Sequence, residues 1–191
     1  MTILRLLLIS GVVISIAGLI WKIAPAKSKL IITPSETTQF PAVSGYNLNR
    51  QEFEYPRDFG GDLNLVIIAF QQQHQIIVNT WIPFAQEVEA TFPGFIYYEF
   101  PTIYEMSALS RTFINEGMRV GIPDQTARER TITLYLDKDA FNSALDIPSE
   151  NDIHLFLVDQ DGNILWSTVG EYTEDKASEL TEVIKDRFQR E

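Results

Sequence analysis

The side chains that could do acid–base or metal chemistry are few in this sequence. His74 and His154 are its only histidines, and it contains no cysteine. A chain without thiols forms no disulfide, offers no thiolate nucleophile and supplies no thiolate ligand to a metal. No spacing of carboxylates around the histidines predicts a metal site. We therefore expect neither a metal nor any other cofactor.

His74 lies at a junction between two predicted elements. The apolar run from Leu63 to Phe70 predicts a strand that is covered on both faces. A helical stripe follows, formed by Ile77, Trp81, Phe84, Val88 and Phe92, with Pro83 inside it. His74 is either a recognition residue or proton carrier at this junction, or a solvated residue among the glutamines of 71–75. His154 lies within a later strand and is interpreted as a half-buried histidine with a satisfied ring.

Two further groups of side chains invite a functional interpretation. Arg111, Arg119 and Arg128, with Arg130, concentrate positive charge and could dock an acidic partner or lipid head groups. The alternative is that they pair with carboxylates of the same chain. The run 159–163 begins like a calcium loop, but Gly170 occupies the place of the closing glutamate, so a hairpin turn is favoured.

The charge of the chain is unevenly distributed. Its formal net charge is −11, from 15 basic and 26 acidic side chains. Residues 1–30 contain Arg5, Lys22, Lys27 and Lys29 and no acidic residue, so the remainder is strongly acidic. Such a body repels phosphate backbones, and we expect no nucleic-acid partner.

Residues 1–26 are almost wholly apolar between Ile3 and Ala26. Their length fits one thin membrane span, which predicts a single-pass N-terminal anchor and a membrane location. A cleaved signal peptide is the alternative, with 24–26 as a weak cleavage site. Basic residues flank the apolar run on both sides, so they leave the side of the membrane open. Residues 27–45 are predicted as a linker and 46–191 as the folded domain.

The body alternates strands with helices. Beyond the first strand and helix we predict strands at 95–100, 131–136, 153–158 and 164–169, a helix ending near Gly117, a short helix at 140–145 and a final helix from about Thr173. Alternation implies parallel pairing through crossovers, and the terminal hairpin adds antiparallel edges. The fold class is therefore α/β, with three layers and a mixed central sheet.

This order resembles the thioredoxin fold in its peroxiredoxin-like form, the alkyl hydroperoxide reductase/thiol-specific antioxidant type, over residues 43–189. The stretch 43–70 is similar to the N-terminal hairpin and first core strand of that group. The run LVDQDGNIL at 157–165 is similar to its final hairpin, and Pro83 matches the proline of its first long helix. The resemblance implies a thioredoxin-like three-layer sandwich.

The same resemblance implies where the redox site would be. The two thiol positions fall at Gln75 and Val78, and the place of the family's cis-proline falls at Ile153, with Pro148 five residues earlier. Neither a glutamine nor a valine can act as the nucleophile or carry electrons. The resemblance therefore predicts a scaffold without thiol–disulfide oxidoreductase or peroxidase activity.

A narrower set of matches is similar to the mitochondrial ATP synthase assembly-factor family, which is thioredoxin-like. The matching residues are 81–84, Arg119, 122–123, 155–159, 164–166 and Gly170. This resemblance implies a role in the maturation of a membrane-embedded ATP synthase subunit.

Together these features predict a membrane-tethered, redox-inactive domain that binds a protein partner, a subunit of an integral membrane complex. The expected binding surface consists of His74, Gln75, Ile153, Arg111, Arg119 and Arg128. The alternatives are an enzyme without thiols that uses His74 as a general base, and a module that binds a lipid or small molecule.

Overall fold

A computed structural model of the chain describes residues 39–189, and the predicted anchor at 1–26 lies outside that range. Within it, seven strands form one mixed sheet in the order β2-β1-β5-β4-β3-β6-β7. The strands are β1 (Val43–Asn47), β2 (Glu52–Tyr55), β3 (Leu63–Ala69), β4 (Phe95–Tyr104), β5 (Ile132–Leu136), β6 (His154–Asp159) and β7 (Ile164–Val169). The helices are α1 (Gln75–Thr91), α2 (Ala108–Gly121), α3 (Gln125–Arg130), α4 (Lys138–Ala144) and α5 (Glu174–Phe188).

Strand β3 lies inside the sheet, between β4 and β6. It pairs in parallel with β4 and antiparallel with β6. Its side chains alternate between two apolar clusters, with Leu65 and Ile67 on one face and Val66 and Ile68 on the other. Because both faces are covered, the strand is apolar along almost its whole length, as predicted from its sequence, with the buried Asn64 as its one polar residue.

The first of these faces carries α1 and α5. Val78, Trp81 and Ala85 of α1 pack there with Leu180 and Ile184 of α5. The indole Nε1 of Trp81 donates a hydrogen bond to the Gly170 carbonyl at 2.9 Å. This bond satisfies a buried polar group and holds α1 against the end of β7.

The opposite face is covered by α4 and by the chain that precedes β3. Phe40, Tyr55 and Phe59 pack there against Phe100 of β4 and Phe141 of α4. Phe40 also donates its backbone N–H to the Gly162 carbonyl in the β6–β7 turn at 2.7 Å. Phe40, which lies within the range predicted as a linker, is therefore packed against the domain.

The β6–β7 turn is a hairpin turn. The Asp159 carboxylate accepts hydrogen bonds from the backbone N–H of Asn163 at 2.8 Å and of Asp161 at 3.1 Å. Its Oδ2 also lies 3.5 Å from the guanidinium of Arg187. The carboxylate thus serves the turn itself, which is the interpretation that the sequence favoured.

Two helical segments differ from the sequence prediction. Helix α2 continues past Gly117 to Gly121, because Gly117 does not adopt the left-handed conformation that ends many helices. Helix α3 was not predicted. It is short, has no apolar stripe, and depends on its cap, in which Asp124 accepts the Ala127 N–H at 2.7 Å.

None of the helices within residues 39–189 combines the length and apolarity that a membrane crossing requires.

Candidate functional site

The junction between β3 and α1 is a short 3₁₀ turn at Gln72–His74. Gln75 is the first residue of α1, and its side chain is exposed. Its Nε2 donates hydrogen bonds to Asn79 Oδ1 at 3.0 Å and to Glu99 Oε2 at 3.1 Å. The side chain at the first expected thiol position is therefore directed toward β4, where it contacts a carboxylate.

The second expected thiol position is occupied by a buried hydrocarbon. Val78 and Ile153 belong to the same apolar cluster, together with Trp81. Ile153 precedes β6, and its carbonyl accepts the Gly170 N–H at 3.0 Å. The structure thus brings the predicted positions 78 and 153 into one cluster, and fills that place with aliphatic side chains that have no acid–base or redox chemistry.

His74 is buried at the junction, with an exposed fraction of 2%. Its Nδ1 accepts a hydrogen bond from the Phe70 N–H at 3.3 Å. Burial lowers the pKa of its imidazole, against the opposing effects of the Asp152 charge and a hydrogen bond to the backbone of Asn151. The lone pair of the neutral ring therefore already accepts a backbone hydrogen bond, and the buried ring is poorly accessible to a substrate.

A buried charged pair, which the sequence did not indicate, lies beside the junction. The ammonium group of Lys138 is 2.5 Å from Glu150 Oε2, and Lys138 is buried. The same ammonium lies 5.3 Å from the ring centroid of Phe70 and 4.4 Å from that of Tyr104. Gln71 donates to the backbone carbonyl of Glu150 at 3.2 Å. The loop before β6 is thereby fixed to both α4 and the junction.

The second histidine also has a structural environment. His154 is buried in β6, and its Nε2 is 2.9 Å from the Ser149 carbonyl. Its ring meets the Phe70 ring edge-on at 6.1 Å between centroids. Both histidines therefore contact Phe70, His74 through the backbone N–H of that residue and His154 through its ring.

A groove of about 1300 Å³ opens between α1 and α2. Its floor is formed by β4 through Tyr97, Glu99, Pro101 and Ile103. Gln75 lines one wall, and Phe113 of α2 lines the other. Burial raises the pKa of the Glu99 carboxyl, and the hydrogen bond from Gln75 opposes that shift.

Sequence reasoning did not single out Glu99. The available signal was a carboxylate inside the aromatic run FIYYEF at 95–100, where an acidic residue is unusual in a buried strand. The groove itself leaves no signal in the sequence, because it depends on how far α2 stands from α1.

The predicted arginines are engaged within the chain and do not line the groove. Arg111 donates through Nε to the Met106 carbonyl at 2.9 Å and lies over the Tyr135 ring. Arg119 is 3.9 Å from Glu116, and Arg128 donates to the Pro123 carbonyl at 3.2 Å. The groove lining therefore includes Gln75 and none of these three arginines.

No protein-family model matches the sequence, and no curated protein matches it. Solved structures do match. A thiol:disulfide interchange protein from a Bacteroides species aligns with a TM-score of 0.54 and 15% identity, over 79% of this chain and 91% of that chain. A candidate electron transfer protein from Aquifex aeolicus VF5 aligns at 0.55 and 12% identity, over 79% of this chain and 97% of that chain. The exposed lipoprotein thioredoxin of Streptococcus pneumoniae strain TIGR4 aligns at 0.50 and 10% identity, over 76% of this chain and 99% of that chain.

The fold is thioredoxin-like. In this thioredoxin-like fold, Gln75 and Val78 occupy the start of the helix that follows the central strand β3. The residue at 75 is exposed and the residue at 78 is buried, so the two positions differ in access to solvent. The fold is present, and the cysteine thiols are not.

Proposed function

We propose that this chain is a membrane-tethered, redox-inactive thioredoxin-like domain that binds other proteins during the assembly or maturation of a membrane complex. The observation that carries the proposal is the occupied thiol place, where Val78 and Ile153 pack as core residues and Gln75 bonds to Glu99. A rigid junction without a nucleophile is suited to holding a partner and unsuited to reducing one.

Within the fold, we assign the chain to the peroxiredoxin-like form. The hairpin of β1 and β2 that precedes β3 supports this assignment, as does β5, which lies between β4 and the hairpin at the edge of the sheet. The client that we propose is a membrane-embedded subunit, with ATP synthase as the first complex to examine. The tether at residues 1–26 would raise the local concentration of the domain near such a client.

An enzyme that uses His74 as a general base is the weaker candidate. A base must reach the proton that it removes, within about 2.6–3.2 Å. The single neutral lone pair of His74 accepts from the Phe70 N–H, and the ring is buried. A small-molecule module is also less favoured, because the groove of about 1300 Å³ is larger than the roughly 300–1,000 Å³ of typical small-molecule sites.

The proposal is tested by crosslinking in native membranes, followed by affinity recovery. The full chain is compared with a chain that lacks residues 1–26 and with Ile76→Glu, which places a charge on a side chain that is 75% exposed beside Gln75. We expect the full chain to recover one integral membrane complex, and both altered chains to recover much less of it.

The matched control is Ala90→Glu, which adds the same charge at an exposed position near the other end of α1. We expect its recovery to equal that of the unaltered chain. If the full chain recovers no integral membrane protein above background, the proposed function is wrong.

A further inference from the structure

Helix α2 carries its apolar side chains on the outside. Leu109 is 82% exposed, Phe113 82% and Val120 84%, and no residue of the helix is buried. An exposed apolar stripe on one helix is unusual for a surface that meets only water, and such stripes mark interaction sites. Phe113 also lines the groove between α1 and α2, so the exposed stripe and the groove form one continuous surface.

The charge of the groove has one sign. The acidic side chains that line it are Glu99 and Asp124, and its lining contains no lysine, arginine or histidine. The Asp124 carboxylate is already used to cap α3 through the Ala127 N–H. Glu99 is different, because within residues 39–189 the amide of Gln75 is its one side-chain hydrogen-bond donor. A carboxylate can accept about four hydrogen bonds, so Glu99 has spare capacity directed into the groove.

Arg130, which precedes the bridge partner of Glu99 in the chain, is not available to Glu99. Arg130 donates to Glu89 at 2.7 Å and lies over the Tyr97 ring at 4.6 Å. Tyr97 lines the groove, so Arg130 stands behind that ring and is already paired. Burial raises the pKa of Glu99, and a cation placed against its carboxylate would stabilise the charged form.

We propose that this groove binds an apolar segment of a client protein and that the segment places one lysine or arginine against Glu99. The proposal rests on the proposed protein-binding function and specifies the chemistry of the partner. Apolar side chains of the segment would cover Phe113 and its neighbours on α2, while the cation would use the free acceptors of Glu99. An anionic lipid surface is disfavoured, because both carboxylates of the groove and the acidic body repel it.

The test uses the full chain in detergent and a phage-displayed library of random peptides. We expect the enriched peptides to carry a lysine or arginine between apolar residues. Binding of one such synthetic peptide is then measured with the unaltered chain and with Glu99→Gln, which keeps an acceptor for Gln75 and removes the charge. We expect Kd to rise at least about thirtyfold, the lower end of the effect when one partner of a buried hydrogen-bonded charge pair is removed.

Two controls separate the charge pair from general effects. Glu87→Gln removes the same charge from the exposed face of α1 outside the groove, and we expect it to leave Kd unchanged. Replacing the basic residue of the peptide by methionine should weaken binding to the unaltered chain as much as Glu99→Gln does. The same peptide change should have little further effect on Glu99→Gln, because the two changes remove one interaction.

Phe113→Ser provides an independent variant, since its side chain is exposed and the fold does not depend on it. We expect it also to weaken binding of the peptide severalfold.

The inference is overturned if no peptide is enriched, if the enriched peptides lack basic residues, or if Glu99→Gln binds the peptide as tightly as the unaltered chain. Failure of the proposed function looks different, because then the membrane crosslinking recovers no integral complex. If it recovers one equally well with Glu99→Gln, the function stands and this inference alone fails.

Discussion

Lys138 and Glu150 form a 2.5 Å ion pair that joins α4 to the loop before β6. Asn142 donates to the other carboxylate oxygen of Glu150 at 2.7 Å. The pair is therefore a fixed point at the end of the sheet where the candidate surface lies. Its arrangement indicates that the loop before Ile153 is held rigid without the proline that the family resemblance led us to look for.

Removing the charge of Glu150 should destabilise the domain. Glu150→Gln keeps an oxygen for Asn142 but leaves the buried ammonium of Lys138 without its carboxylate. Loss of one partner of a buried pair costs about 3–5 kcal/mol, and we expect a decrease in the free energy of unfolding near the lower figure. Urea unfolding followed by circular dichroism measures it. The double variant Lys138→Met, Glu150→Gln should recover part of the loss, and no recovery would show that the pair is not the cause.

Cysteines returned to the expected thiol positions should form a disulfide. In the double variant Gln75→Cys, Val78→Cys, the position at 75 is exposed at the start of α1 and the position at 78 is buried. A thiol at a helix N-terminus has a lowered pKa and reacts readily. We expect the thiol introduced at 75 to react with a thiol reagent much faster than the thiol introduced at 78. Mass spectrometry after mild oxidation should show an intramolecular disulfide.

The single variants serve as controls for that experiment, since neither can close the bond. Two thiols that react at equal rates, or that form only intermolecular disulfides, would contradict a thioredoxin-type geometry at this junction.

Stability should fall at mildly acidic pH because of His74. The pKa of His74 is lowered by burial from its ordinary value of 6.5, so the unfolded chain takes up the proton first as the pH falls. His74 therefore causes no loss of stability well above pH 6.5, and it lowers the free energy of unfolding as the pH falls below that value. We expect the urea midpoint to decrease between about pH 7.5 and pH 5.5. His74→Gln should show a smaller decrease over the same interval. An equal decrease in that variant would assign the pH dependence to other groups.

The central part of the fold could be predicted from the sequence because its signals are local. The apolar run of β3 and the helical stripe of α1 follow directly from burial on two faces and on one face. The turn at Asp159–Asn163 has equally local chemistry. The candidate site depends instead on pairs that are distant in the sequence. Gln75 meets Glu99, and Lys138 meets Glu150, only after the sheet and helices have assembled.

Glu99 should destabilise the domain at neutral pH, as a residue retained for binding would. Its pKa is raised from 4.5 because burial disfavours the charged form, so the unfolded chain ionises first as the pH rises. Ionised Glu99 therefore lowers stability above its folded pKa, and the loss disappears as the pH falls toward 4.5. We expect Glu99→Gln to have a higher Tm than the unaltered chain at about pH 7 and a similar Tm near about pH 4, measured by circular dichroism. Glu87→Gln should show no such difference. If Glu99→Gln were less stable at neutral pH, the carboxylate would already have its partner within the chain, and the groove would have no unpaired charge to offer a client.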